Sequence, residues 1–76
     1  MTNKPEMKSV TSSMVDAIGF DDVHEVLYVE FKGGKVYTYE GVKAHTWHAM
    51  NVEGVSVGQF INKTIKPNYP STKIEG

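Results

Sequence analysis

The order of apolar and polar positions divides this chain into a strand-like first half and a helical second half. Residues 1–9 are polar, contain Pro5 and show no apolar period, which reads as a flexible N-terminal arm. From Met14 to Phe20 the apolar residues Met14, Val15, Ile18 and Phe20 suggest a strand whose alternation falters at Asp16 and Ala17. Asp21-Asp22 marks a turn. Glu25 to Phe31 alternates cleanly, with Leu27, Val29 and Phe31 facing one way and Val26, Tyr28 and Glu30 the other. Gly33-Gly34 follows, and two glycines accept the positive φ of a tight reversal, so a β-hairpin returning through Lys35 to Glu40 is expected.

The length of that reversal decides where the tyrosines lie. A two-residue turn at Gly33-Gly34 pairs Phe31 with Val36 and Tyr28 with Tyr39, which puts the tyrosines on the face opposite Leu27 and Val29. A three-residue loop, Lys32 to Gly34, sets Tyr37 and Tyr39 beside Val29 and Leu27 instead. The second register is preferred because it gathers the larger side chains onto one buried face.

Beyond Glu40 the period changes to that of a helix. Val42, Thr46, Trp47, Ala49 and Met50 share one arc, while His48 points away. Asn51 to Gly54 breaks this helix, and Ser56 opens another: Ser56 and Gln59 make an S-x-x-Q capping box, and Val55 is placed to staple against Phe60. On the second helix Phe60, Ile61, Thr64 and Ile65 form one face and Gln59, Lys63 and Lys66 the opposite one, until Pro67 stops it. The pattern therefore predicts an α+β fold: a three-stranded antiparallel β-meander over about residues 13–40, packed on one face by two short helices near 43–50 and 57–66. The expected core is Ile18, Phe20, Leu27, Val29, Phe31, Val42, Trp47, Met50, Phe60, Ile61 and Ile65, bordered by Tyr37 and Tyr39. Residues 10–69 form the domain and 70–76 a C-terminal tail.

Composition narrows what such a domain does. A chain of 76 residues supports one core, and a domain of this size buries only about 60% of its unfolded surface, so a shallow site suits it better than a deep pocket. Apolar residues at 39% against 22% charged place it among folded domains. There is no cysteine, which excludes disulfides and thiolate zinc sites and fits a cytoplasmic setting. No apolar run has the ~20 residues of a membrane span, and no membrane partner is expected. Net charge is −1 and all eight cations are lysines, which disfavours electrostatic wrapping of a nucleic-acid duplex. The charge is unevenly spread: residues 1–40 hold four lysines and seven acids, a net −3, and residues 41–76 hold four lysines and two acids, a net +2. An anionic partner should prefer the C-terminal half.

From Val10 to Tyr69 the chain resembles the KTSC domain, a short module found at the C-terminus of some lysyl-tRNA synthetases and as a stand-alone protein of bacteria and their phages. The resemblance is carried by Val10-x-Ser12-Ser13, Ile18-Gly19-Phe20-Asp21, Leu27-x-Val29-x-Phe31, Gly34 with Tyr37-Thr38-Tyr39, Gly41-Val42, Ser56-x-Gly58-x-Phe60-x-Asn62, and Ile65 with Tyr69. Phe20 stands where the family commonly has tyrosine, and Lys43 where it often has proline, a residue suited to a helix start. The resemblance implies at most a role in RNA binding and brings no catalytic residue. Tyr37 and Tyr39 match its central motif, and stacking of bases on exposed aromatics would be the physical basis.

Other chemistry is thin. His45 and His48 stand three apart on a helix, but no third metal ligand is fixed near them, and no metal or cofactor is expected. Gly33-Gly34-Lys35 lacks the remaining parts of a phosphate loop, and Asn62-Lys63-Thr64 matches a glycosylation sequon only by accident inside a helix. Nothing pairs a serine with a histidine, so no catalytic residue is named. The sequence points to a small non-enzymatic binding module for RNA or a small nucleotide, with Lys63, Lys66 and Tyr69 as phosphate and stacking contacts beside Tyr37 and Tyr39. The alternative is a protein-interaction or structural accessory module that pairs with a protein partner or with copies of itself as a homo-oligomer.

Overall fold

Among the described residues five strands form one antiparallel sheet in chain order: β1 (Lys8–Ser9), β2 (Val15–Asp21), β3 (Val26–Phe31), β4 (Val36–Glu40) and β5 (Ser71–Glu75). The computed structural model describes residues 5–76, so the first four residues of the arm lie outside the described residues. Between β4 and β5 the chain leaves the sheet for α1 (Ala44–Met50) and for a second helical run made of α2 (Val57–Phe60), a π-helical turn (Ile61–Ile65) and α3 (Lys66–Asn68). The fold is α+β, but the sheet has five strands where the pattern predicted three. The two extra strands come from the segments read as arm and tail. Both are exposed along their length, so neither shows the apolar alternation that marks a strand in sequence; backbone pairing recruits them, aided by single side-chain bonds from Lys8 Nζ to Asn51 Oδ1 at 2.8 Å and from Thr38 Oγ1 to the Thr72 carbonyl at 3.4 Å.

The three-residue hairpin register is the one observed, with Leu27 opposite Tyr39 and Val29 opposite Tyr37. The Phe31 N–H donates to the Lys35 carbonyl at 2.7 Å and the Gly34 N–H to the Phe31 carbonyl at 3.1 Å, closing the loop Lys32–Gly34. Gly33 and Gly34 have φ of 95° and 89°, which a side chain at either position would oppose. In β2 the pairing jumps from Val15–Phe31 to Ala17–Glu30, leaving Asp16 as a bulge. This extra residue is why the alternation falters there, and it turns Val15 onto the same face as Ile18 and Phe20. The Asp16 carbonyl accepts from the Val10 N–H at 3.1 Å, and its carboxylate pairs with Lys32 at 2.7 Å.

The turn after β2 is held by Asp21, whose carboxylate accepts from the Val23 and His24 N–H groups, both at 3.1 Å, and meets His24 Nδ1 at 2.8 Å. The His24 side-chain hydrogen bond, with the backbone ones, keeps the Asp21 carboxyl below its ordinary range. Glu25 ends the turn and binds the start of α1 twice: its carbonyl accepts from the Val42 N–H at 2.9 Å, and its carboxylate holds Lys43 Nζ at 2.9 and 3.1 Å. Lys43 thus anchors the helix start through an ion pair.

Val15, Ile18, Leu27, Val29, Tyr39, Val42, Met50, Ile61 and Ile65 form the core between the sheet and the helices. Seven of these were expected; Val15 and Tyr39 join them, the first through the bulge. Phe20, Phe31, Trp47 and Phe60, expected inside, are only half-buried and pack around its margin. Apart from Tyr39, the centre of a domain this small is filled by unbranched and branched aliphatic side chains, and these four wide rings stay at its rim.

Two close approaches fix the layers. Ser12 Oγ accepts from the Met14 and Val15 N–H groups at 3.2 and 3.3 Å. Gly58, buried in the first turn of α2, lies so near that a Cβ there would stand 2.8 Å from Ser12 Oγ and 3.2 Å from Met14 Cγ. Asn62 Nδ2 adds a contact to Met14 Sδ at 3.3 Å. On the opposite face of the sheet Tyr28 and Val36 are also buried, and the segment Pro5–Met7 lies against Gly19, where a Cβ would meet Met7 Sδ at 2.7 Å and the Glu6 carbonyl at 3.0 Å.

The helix start at Ser56 is confirmed, its hydroxyl accepting from the Gln59 N–H at 3.4 Å. Pro67 does not stop this helix, which continues to Asn68. Proline in an α-helix lacks a donor and presses on the carbonyl four residues back. Here the preceding turn is widened, with the Lys66 N–H bonding the Ile61 carbonyl five residues back, and this relieves the clash.

Candidate functional site

An open groove of about 340 Å³ lies on the helix-bearing face along β4, lined by Phe31, Lys35, Tyr37, Tyr39, Lys66 and Ser71. Its floor follows from the hairpin register: Tyr37 and Tyr39 alternate with Val36 and Thr38, so both rings project toward the helices, and Phe31 at the end of β3 meets Tyr37. The Phe31 and Tyr37 rings meet edge to face, 5.6 Å between centroids at 84°. Lys66 Nζ stands 5.1 Å above the Phe31 ring, a cation–π contact that holds the ammonium over an aromatic wall. On the far side β5 supplies Ser71, opposite Tyr39, and puts Lys73 opposite Tyr37 on the same face.

The electrostatics favour an anion. The ion pairs among the described residues engage Lys32, Lys43 and His24 and leave Lys35, Lys66 and Lys73 outside them. Burial pushes the Tyr39 phenol above the ordinary tyrosine range, with Tyr37 beside it adding to the effect, so Tyr39 stays uncharged at neutral pH. None of the six lining residues carries a carboxylate, imidazole or thiol. The groove can stack a flat ring and neutralise negative charge.

Of the residues named from sequence, Tyr37, Tyr39 and Lys66 come together here. Tyr39 is 3% exposed and contributes little open surface to the groove, whereas Tyr37 is half-buried. Lys63 is exposed and lies outside the lining, and Tyr69 packs half-buried against the core as the residue closing α3. Lys63 and Lys66 share a face in a regular α-helix. The π-turn between them rotates the chain less per residue, so the two diverge and only Lys66 reaches the groove. Phe31, Lys35 and Ser71 were missed. Alternation places Lys35 on the face of Tyr37 and Tyr39 and was the available signal for it; Ser71 belongs to a strand that had none. His45 and His48 are both exposed on α1, and among the described residues no group of three His, Cys, Asp or Glu is placed to hold a metal ion.

The features that recur in the sequence pattern, the Ser12–Gly58 contact, the Phe31–Tyr37–Tyr39 floor and the Ser56 cap, all fall within residues 11–69, the span that matches the KTSC domain family model. The chain belongs to the KTSC domain family. Its fold is similar to that of a crystallised KTSC domain protein from Yersinia pestis, with a TM-score of 0.81 at 30% identity, covering 91% of this chain and 96% of that one. A protein of Tsukamurella paurometabola is 32% identical over 63 residues, 83% of this chain and 92% of its own length. Another, from Stutzerimonas stutzeri, is 33% identical over 61 residues, 80% of this chain and 84% of its own. In this KTSC domain β1 lies outside the matched span on one side and β5 on the other. Five of the six residues lining the groove fall within the matched span, and Ser71 on β5 lies just beyond it.

Proposed function

We propose that this KTSC domain is a non-catalytic binding module whose groove takes a small nucleotide, the base against Phe31 and Tyr37 and the phosphates between Lys35, Lys66 and Lys73. The observation that carries this reading is the Lys66 ammonium held over the Phe31 ring beside Tyr37, since stacking faces and charge-assisted donors are the two things a nucleotide needs. A groove of about 340 Å³ stands at the small end of ligand sites, which run from about 300 to 1,000 Å³. That scale, with a net charge of −1, favours a single nucleotide over an RNA strand, which needs a basic track along its backbone. The setting for this role is the cytoplasm; no helix among the described residues is long and apolar enough to cross a membrane.

The test is titration calorimetry with linear and cyclic mono- and dinucleotides and a short single-stranded RNA. A charge-assisted contact contributes about 1.5–3 kcal/mol, so Lys66→Ala should weaken the bound nucleotide about tenfold or more. Lys63→Ala, outside the groove, should leave it unchanged. If none of the panel binds at millimolar concentration, or if Lys66→Ala binds as the parent does, the groove is not a nucleotide site.

A second reading, a protein-interaction module that forms an oligomer, draws on β5, an edge strand exposed at every position with Ile74 at 43%. Lys73 and the irregular pairing near Ile74 are the features by which edge strands resist such pairing, which makes this the weaker reading. Light scattering at increasing concentration separates the two: a stable dimer that loses its contact on Ile74→Lys supports it.

A further inference from the structure

Two strands away from the groove, on the β2 side of the same face, Phe20 and Trp47 stack with centroids 5.5 Å apart and planes 12° from parallel. Both rings are half-buried, and their open parts line a cleft of about 270 Å³ with Asp22, Ala44 and His48. We propose that this cleft receives an arginine side chain of a partner polypeptide, its guanidinium lying on the Trp47–Phe20 stack and its fork reaching the Asp22 carboxylate.

Charge complementarity identifies the occupant. In the turn between β2 and β3 the other two carboxylates are engaged: Asp21 by the Val23 and His24 N–H groups and the His24 ring, Glu25 by Lys43. Asp22, exposed at the cleft, takes part in none of these pairs. Tryptophan is the ring that attracts cations most strongly, and a flat cation can stack on it while donating sideways to a carboxylate. An ammonium group offers a point charge and no plane to stack, so lysine fits this geometry less well. An arginine occupant comes from outside these 76 residues, whose eight cations are all lysines.

The 76-residue chain carries its own reporter, since Trp47 is its single tryptophan. The probe is the capped tripeptide acetyl-Gly-Arg-Gly-amide, titrated at constant pH and followed by Trp47 fluorescence and by the NMR shift of its indole N–H. Saturable changes are expected, weakened at least fivefold by Asp22→Asn and at least threefold when acetyl-Gly-Lys-Gly-amide replaces the arginine peptide. Asp22→Asn should keep the backbone NMR spectrum of the parent. No change at tens of millimolar peptide, an unaltered affinity in Asp22→Asn, or equal responses to arginine and lysine would each overturn the proposal.

Discussion

Replacing Gly58 by alanine sets two opposite effects against each other, and the structure decides between them. Inside a helix the change is favourable by up to about 1 kcal/mol, because alanine loses less backbone entropy on folding. Gly58 however lies where a Cβ would be 2.8 Å from Ser12 Oγ and 3.2–3.3 Å from Met14 Cγ and Sδ. The methionine tip can swing aside. The Ser12 hydroxyl cannot do so freely, since it accepts two backbone N–H groups that would lose their partner. Forcing a methyl group into a filled site costs about 1–3 kcal/mol, which exceeds the helical gain. Gly58→Ala should therefore destabilise the domain by about 1–2 kcal/mol in urea denaturation, lowering the midpoint by about 1 M or more at the small m-value of such a chain. In a Ser12→Gly background the same substitution should cost less, because the fixed oxygen is gone. An alanine variant more stable than the parent would refute the close packing of α2 on the Ser12 turn.

Further expectations concern other parts of the fold. Gly19→Ala should dislodge Pro5–Met7 from the sheet and speed tryptic cleavage after Lys8; an unchanged rate would mean that this segment does not rest on Gly19. Full burial would make Trp47→Ala cost about 3–5 kcal/mol, but its half-buried ring stacked on Phe20 brings the expected loss to about 2 kcal/mol by chemical denaturation, and a value below about 0.5 would contradict the stack's share in stability. Tyr39 has a raised folded pKa, so its contribution is complete below the unfolded value of about 10 and is lost as pH climbs through the folded one. Stability should fall above pH 10 in the parent and fall less steeply in Tyr39→Phe, measured by denaturant midpoints across pH 8–12; identical slopes would remove Tyr39 from the buried floor.

What the sequence shows of this fold follows which forces leave a mark in residue order. The β3–β4 hairpin was legible because alternation and Gly33-Gly34 agree on one register, and the Ser56 cap because its chemistry is local. The Asp16 bulge appeared only as a fault in alternation. β1 and β5 were hidden because exposed strands joined by backbone bonds impose no pattern on side chains. Pro67 was read as a stop because the rule for proline assumes an α-helix, and the π-turn that accommodates it has no signature in the residues themselves. The candidate groove was half visible for the same reasons. Tyr37, Tyr39 and Lys66 were named, while Ser71 came with the unseen strand and Lys63 was kept with Lys66 by a helical wheel that the wider turn invalidates.

The most direct test of the groove is to map it by NMR. Nitrogen–proton spectra of the labelled domain, titrated with the nucleotide that binds best in calorimetry, should show shifts concentrated at Phe31, Lys35 to Tyr39, Lys66 and Ser71 to Lys73, with Lys63 and the Trp47 indole unmoved. Shifts that gather instead around Trp47 or the β1 edge, or none at saturating nucleotide, would contradict the account.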